Sequence, residues 1–116
     1  MLHLSSSSRY FYYNSIADMR KGAYSLSGLV RNQMQLDVLS GDVFIFMGRR
    51  CNKIKLLQWD SDGFALYEKR LERGSFERPK MNEDGHCNIS AQQLQYILQG
   101  VVLKSIQHRK RFVLNG

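Results

Sequence analysis

The chain predicts an α+β fold: an antiparallel β-meander of three to five strands, one helix packed on a face of it, and a second short helix near the C-terminus. Three observations predict it. Residues 41–72 hold three runs rich in β-branched, aromatic and aliphatic side chains, each bounded by Gly, Asn or Asp, the pattern of consecutive strands joined by tight turns. Residues 18–35 instead space their apolar side chains at three- and four-residue steps, the period of a helix with one buried face. Further on, Ser90 and Gln93 have the spacing of a capping box, with Ile89 and Leu94 placed to form a hydrophobic staple across it.

Within the meander the strands are expected at 43–47, 53–59 and 64–71. Val43, Ile45 and Met47 alternate with Phe44 and Phe46, so both faces of the first strand are apolar and it belongs at the centre of a sheet. Asp60-Ser61-Asp62-Gly63 reads as a type I turn with a bulge, the Gly supplying positive φ. The other turn, Gly48-Arg49-Arg50-Cys51-Asn52, puts two guanidiniums at a loop tip just ahead of Lys53 and Lys55.

Before the meander, Arg9-Tyr10-Phe11-Tyr12-Tyr13 is a β-favouring run that suits an edge or partner strand. Its aromatics are also of the kind that stack unpaired bases, although an RNA-binding platform usually brings Gly and basic residues into the same strand. Asp18 has the side chain of an N-cap for the 18–35 helix, whose inner face is Met19, Ala23, Leu26, Leu29, Val30 and Met34. Gly22 and Gly28 each lower its propensity by roughly 1 kcal/mol relative to Ala, so packing must hold it. Arg20, Lys21 and Arg31 lie on its outer side. Residues 73–88 are polar and turn-rich and read as one long loop, a length that in compact domains is often functional or mobile. In the second helix Leu94, Ile97 and Leu98 make the apolar face and Gly100 stands where a helix stops. Residues 101–103 suit a further strand, and 107–112 form a basic terminal segment.

At 116 residues with 43% apolar content, a single domain is expected: an α+β core over 9–79, a loop over 80–88, and a C-terminal helix with a basic tail over 89–116. No apolar run approaches the roughly 20 residues of a membrane helix, and the first residues lack the features of a signal peptide, so a cytoplasmic protein with two reduced cysteines, Cys51 and Cys87, is expected. Seventeen Lys and Arg against ten Asp and Glu give a net charge of +7 and a pI near 9.7, the electrostatic footprint of a nucleic-acid binder.

Catalytic arrangements are hard to find. Asp60, Asp62 and Glu68 are the carboxylates a Mg²⁺-dependent nuclease would use, but turn formation accounts for the first two. His86-Cys87 with Cys51 and His3 or His108 offers Zn²⁺ ligand types without paired ligand spacing. Adjacent His86 and Cys87 point apart in most backbones, which argues against a thiol nucleophile, and no phosphate-cradling Gly motif is present.

Several motifs in fixed order carry a resemblance: Met19-Arg20-Lys21-Gly22, Gly28-Leu29-Val30, Ser40-Gly41-Asp42-Val43-Phe44, Arg49-Arg50, Lys53-Ile54-Lys55-Leu56-Leu57, Trp59-Asp60, Gly63-Phe64, and Lys69-Arg70-Leu71-Glu72 with Gly74 and Phe76. Over 9–79 the chain resembles the small accessory protein labelled TnpB that is encoded beside the transposase in bacterial insertion sequences of the sixty-six type, a family distinct from the RNA-guided nuclease sharing that label. It departs from the family pattern at Asp37-Val38, where members tend to have Asp-Pro, and at Arg78-Pro79, where they tend to have Trp-Pro. Beyond Pro79 only the outline of a helix followed by a basic tail agrees. The resemblance implies a non-catalytic helper in transposition, with the transposase of the same element as partner. The expected contact is mainly with the DNA backbone, alone or in a transposase–DNA complex, through Arg20, Lys21, Arg49, Arg50, Lys53, Lys55, Arg109, Lys110 and Arg111, with no cofactor or metal. The rival expectation is a module that docks the transposase through exposed Tyr10, Tyr12 or Phe76 without touching DNA.

Overall fold

Strand β2 (Val43–Met47) is the piece on which the rest is laid, as its two apolar faces require: all five of its residues are buried. The computed structural model describes residues 4–5, 7–80 and 84–100. Strands β1 (Tyr10–Tyr13), β3 (Lys53–Asp60), β4 (Gly63–Arg70) and β5 (His86–Ile89) complete a five-stranded sheet in the order β4-β3-β2-β1-β5. Neighbours run antiparallel except β1 and β2, which are parallel with Tyr10 opposite Val43. The fold is α+β, with helices α1 (Ala23–Leu29) and α2 (Ala91–Gln99) on opposite faces of the sheet.

Strand alternation decides which side chain meets which helix. Phe11, Phe44, Phe46 and Leu57 pack with Leu26, Val30 and Met34 of the first helical segment. Tyr10, Tyr12, Val43, Ile45, Met47, Ile54 and Leu56 pack with Leu94 and Ile97 of α2 and with Phe76. The capping box at the start of α2 is made as the spacing predicts: the Gln93 N–H donates to Ser90 Oγ at 3.0 Å and the Ser90 N–H to Gln93 Oε1 at 2.9 Å. Gly100 closes the helix at φ 83°. Lys69 Nζ donates to the Leu98 carbonyl at 2.9 Å, placing a cation at the negative end of that helix.

Several expectations need correction. β1 is a partner strand of the meander, as expected, but it is paired on both sides and so is interior and not an edge; the burial of Tyr10, Phe11 and Tyr12 agrees with the core-packing reading and removes the base-stacking alternative. Burial also removes Tyr10, Tyr12 and Phe76 as an exposed docking patch. Asp18 does not cap the first helix: its carboxylate accepts from the Arg20 N–H at 2.9 Å in a turn that precedes the helix, and α1 begins at Ala23 with Gly22 as an N-cap that offers no side chain. After Leu29 the helix widens into a π-helical turn, Val30–Met34, which ends where Gln35 adopts φ 58°. Leu26, Val30 and Met34 still point inward at four-residue steps.

The turn between β3 and β4 differs too. Asp60 lies opposite Gly63, leaving a two-residue connection in which Ser61, and not the Gly, takes the positive φ, 59°. Positive φ at the first central residue belongs to the primed turns that match strand twist. Finally, 73–88 is not one long loop. Residues 86–89 are β5, recruited because β1 needs a partner on the side away from β2, while Phe76 and Pro79 are buried. Residues 101–103 and 107–112 lie outside the described residues. Among those described, no helix is long and apolar enough to cross a membrane.

Candidate nucleic-acid interface

The connection between β2 and β3, residues 48–52, meets the stretch that precedes α1. The Ala17 N–H donates to the Met47 carbonyl at 2.9 Å, and Gly48 lets Met19 come close: a Cβ there would stand 2.7 Å from Met19 Cγ. The two segments and the adjoining ends of β3 and β4 bound an open depression of about 640 Å³. Ile16, Ala17 and Met19 contribute apolar lining, and Arg20, Arg49, Arg50, Lys53 and Arg70 bring positive charge, with Asp18 the one carboxylate among the described lining residues. Among the described residues no aromatic side chain lines it.

Arg49 and Arg50 are exposed in the turn, as expected of a loop tip. Lys53 and Arg70 are cross-strand partners on the same face, an arrangement that costs stability by like-charge repulsion and that the carboxylate of Glu68, 3.5 Å from Lys53 Nζ, offsets in part. Arg70 is absent from the set chosen on sequence grounds. The signal was the hairpin register: once Asp60 is placed opposite Gly63, Lys53 must face Arg70.

Arg20 also reaches the depression, with its side chain 91% exposed, but it is held by Asp18 through Nε at 3.0 Å and Nη2 at 2.8 Å. The hydrogen bonds from Arg20 hold the Asp18 carboxyl well below the usual carboxylate range. Asp18→Asn is therefore expected to loosen the hold on the guanidinium and to raise the net positive charge of the depression by one.

Lys55 is a correction. It is only 5% exposed; Nζ donates to the Lys21 carbonyl at 2.7 Å and lies 3.5 Å from Glu68 Oε1. Its strand position faces the side covered by the segment leading into α1, so its ammonium ties that segment to the sheet. Lys21 is half-buried beside the depression's lining residues in sequence but is not one of them. Arg109, Lys110 and Arg111 lie outside the described residues. Among the described residues no three His, Cys, Asp or Glu side chains gather as a metal site. His86 packs edge-on to Phe11 at 5.4 Å, with Nδ1 3.0 Å from the Met34 carbonyl oxygen.

A residue named on sequence grounds only as a departure from the family pattern, and not among the binding candidates, stands behind the loop. Arg78 Nη1 donates to the Tyr12 hydroxyl at 2.5 Å, and Nη2 donates to the Gly48 carbonyl at 2.8 Å and to Cys51 Sγ at 2.9 Å. Burial pushes the Tyr12 phenol up to about 12 from its ordinary 10.0, with Arg78 opposing the rise. Because the folded chain holds this proton more tightly than the unfolded one, the stabilisation is complete below pH 10 and is lost as the pH climbs toward 12. Urea midpoints at pH 8 and pH 11 should therefore fall further apart for the native chain than for Tyr12→Phe.

Fold and depression together define a small α+β domain with a concave, cationic end. The chain belongs to the IS66 Orf2-like family, whose profile matches residues 8–108 and so extends well past the 9–79 stretch that carries the resemblance. Members are accessory proteins of insertion-sequence transposition with no known catalytic activity. Two similar proteins, y4hO and y4jC of Sinorhizobium fredii, are uncharacterized: the first is 40% identical over 84 residues, 72% of each chain, and the second 32% identical over 84 residues, 72% of this chain and 71% of its own. No solved structure matches the chain.

Proposed function

We propose that this accessory protein serves transposition by holding the phosphate backbone of duplex DNA in the depression between residues 16–20 and 48–53. The observation that carries this reading is the convergence of Arg20, Arg49, Arg50, Lys53 and Arg70 from three separate stretches of chain on one concave surface. Guanidiniums at Arg49, Arg50 and Arg70 suit paired hydrogen bonds to phosphate oxygens, with Lys53 acting as a point charge. The described lining carries no aromatic ring, which favours backbone contact over the stacking of unpaired bases. Arg70→Ala tests the reading with a residue chosen on geometry alone. Binding to duplexes of unrelated sequence is expected to weaken by about fivefold for all of them alike; unchanged affinity removes β4 from the interface.

A second reading, docking of the transposase, is favoured by a different surface, where Tyr24 is 83% and Leu39 56% exposed beside a hollow lined by Val38 and Phe64. Capture of the element's transposase in nuclease-treated solution, lost in Tyr24→Ser/Leu39→Ser, would support it. Capture undiminished in that variant counts against it.

A further inference from the structure

We infer that Arg78 is a positioning residue that sets the conformation of the Arg49-Arg50 turn from behind and so determines where the two guanidiniums stand. The inference rests on the proposed backbone-binding reading and adds to it a residue that does not line the depression. The turn needs outside support. Arg49 and Arg50 are its two central residues, closed by the Cys51 N–H to the Gly48 carbonyl at 3.2 Å, and Cys51 sits at φ 55°, a left-handed conformation that is strained for a non-glycine residue. Two attachments hold it there. The Phe76 N–H donates to the Cys51 carbonyl at 2.6 Å, anchoring the turn to a buried aromatic, and the Arg78 fork grips both ends of the turn, the Gly48 carbonyl and Cys51 Sγ.

The other tooth of the fork fixes Arg78 itself. Tyr12 is fully buried in β1, and its hydroxyl accepts from Nη1, so a rigid strand of the sheet is linked through one planar group to the turn. A guanidinium suits this arrangement because its donors sit on separate nitrogens in one plane at fixed angles, whereas the three donors of an ammonium diverge from a single nitrogen.

The test combines amide exchange with a double-mutant cycle. In Arg78→Met, which keeps an unbranched stem, exchange of the Cys51 amide is expected to rise by about tenfold while the Ile45 and Phe46 amides of β2 keep their protection. Affinity for a short labelled duplex is expected to fall about fivefold in the otherwise native chain and less than about twofold in Arg49→Ala/Arg50→Ala, since the residue acts through that pair. Arg78→Lys should recover only part of either effect. Unaltered Cys51 exchange in both Arg78 variants overturns the inference, and so does an equal loss of affinity in both backgrounds, which would mean that Arg78 acts on DNA independently of the turn. If the native chain fails to bind duplex at all, the functional reading falls, and the exchange measurement still decides whether Arg78 holds the turn.

Discussion

Replacing Arg49 and Arg50 together by Ala is expected to weaken duplex binding by about ten- to a hundredfold at moderate salt and to lower the slope of log affinity against log salt by about 2. Both side chains are exposed at the turn and both line the depression, so their loss removes charge without disturbing the core. Each phosphate contact that a cation makes releases counterions, which ties the slope to the number of contacts and separates this effect from partial unfolding. The loss should be the same for duplexes of any sequence, because backbone contacts carry no base information. Equal slopes for the variant and the native chain would take the turn out of the interface.

The largest expected effect on stability lies elsewhere, at Gly85. A methyl group there would run into the carbonyl oxygen of Gln33, which is backbone and has no rotamer by which to move aside. The position is held from several sides: the Asn14 N–H donates to the Gly85 carbonyl at 3.3 Å, Asn14 Nδ2 to the Asp84 carbonyl at 2.8 Å, and the next residue, His86, approaches the Met34 carbonyl. Gly85→Ala must push β5 away from the π-helical turn or distort both. A loss of about 2 to 3 kcal/mol is expected, seen as a fall of roughly 10–20 °C in Tm. A Tm within a degree or two of native would mean that β5 is not seated against that turn.

How far the residues themselves disclose this architecture depends on the kind of signal each element carries. The meander and α2 were legible because local chemistry and tertiary packing agree there. The Val43–Met47 run has two apolar faces and takes the centre of the sheet, and Ser90 with Gln93 forms the capping box that their spacing implies. β5 was not legible because four residues, His-Cys-Asn-Ile, have no alternation of their own and become a strand only by pairing with β1. The start of α1 was misread because Asp18 satisfies Arg20 in place of a helix terminus, a choice between two local partners that spacing does not settle.

The candidate site divides in the same way. A basic loop tip is visible in Gly48-Arg49-Arg50, and its convergence with Arg20 and Lys53 follows from the topology. Arg70 depended on register. A bulged 60–63 turn shifts the pairing by a residue and takes Arg70 out of line with Lys53, whereas the two-residue connection sets them face to face. Lys55 was misplaced because its burial arises from a segment more than thirty residues away in sequence, whose Lys21 carbonyl receives its ammonium. Arg78 left no mark at all in periodicity or charge pattern, since its three partners come from β1 and the 48–51 turn.

Titrating a short duplex into isotopically labelled protein and following the amide resonances tests the proposed interface most directly. Perturbations concentrated in residues 16–20, 48–53 and 70, fading as salt is raised, are the expected result. Perturbations centred instead on Tyr24, Leu39 and the exposed side of α1, or none at these three stretches at any salt concentration, would contradict it.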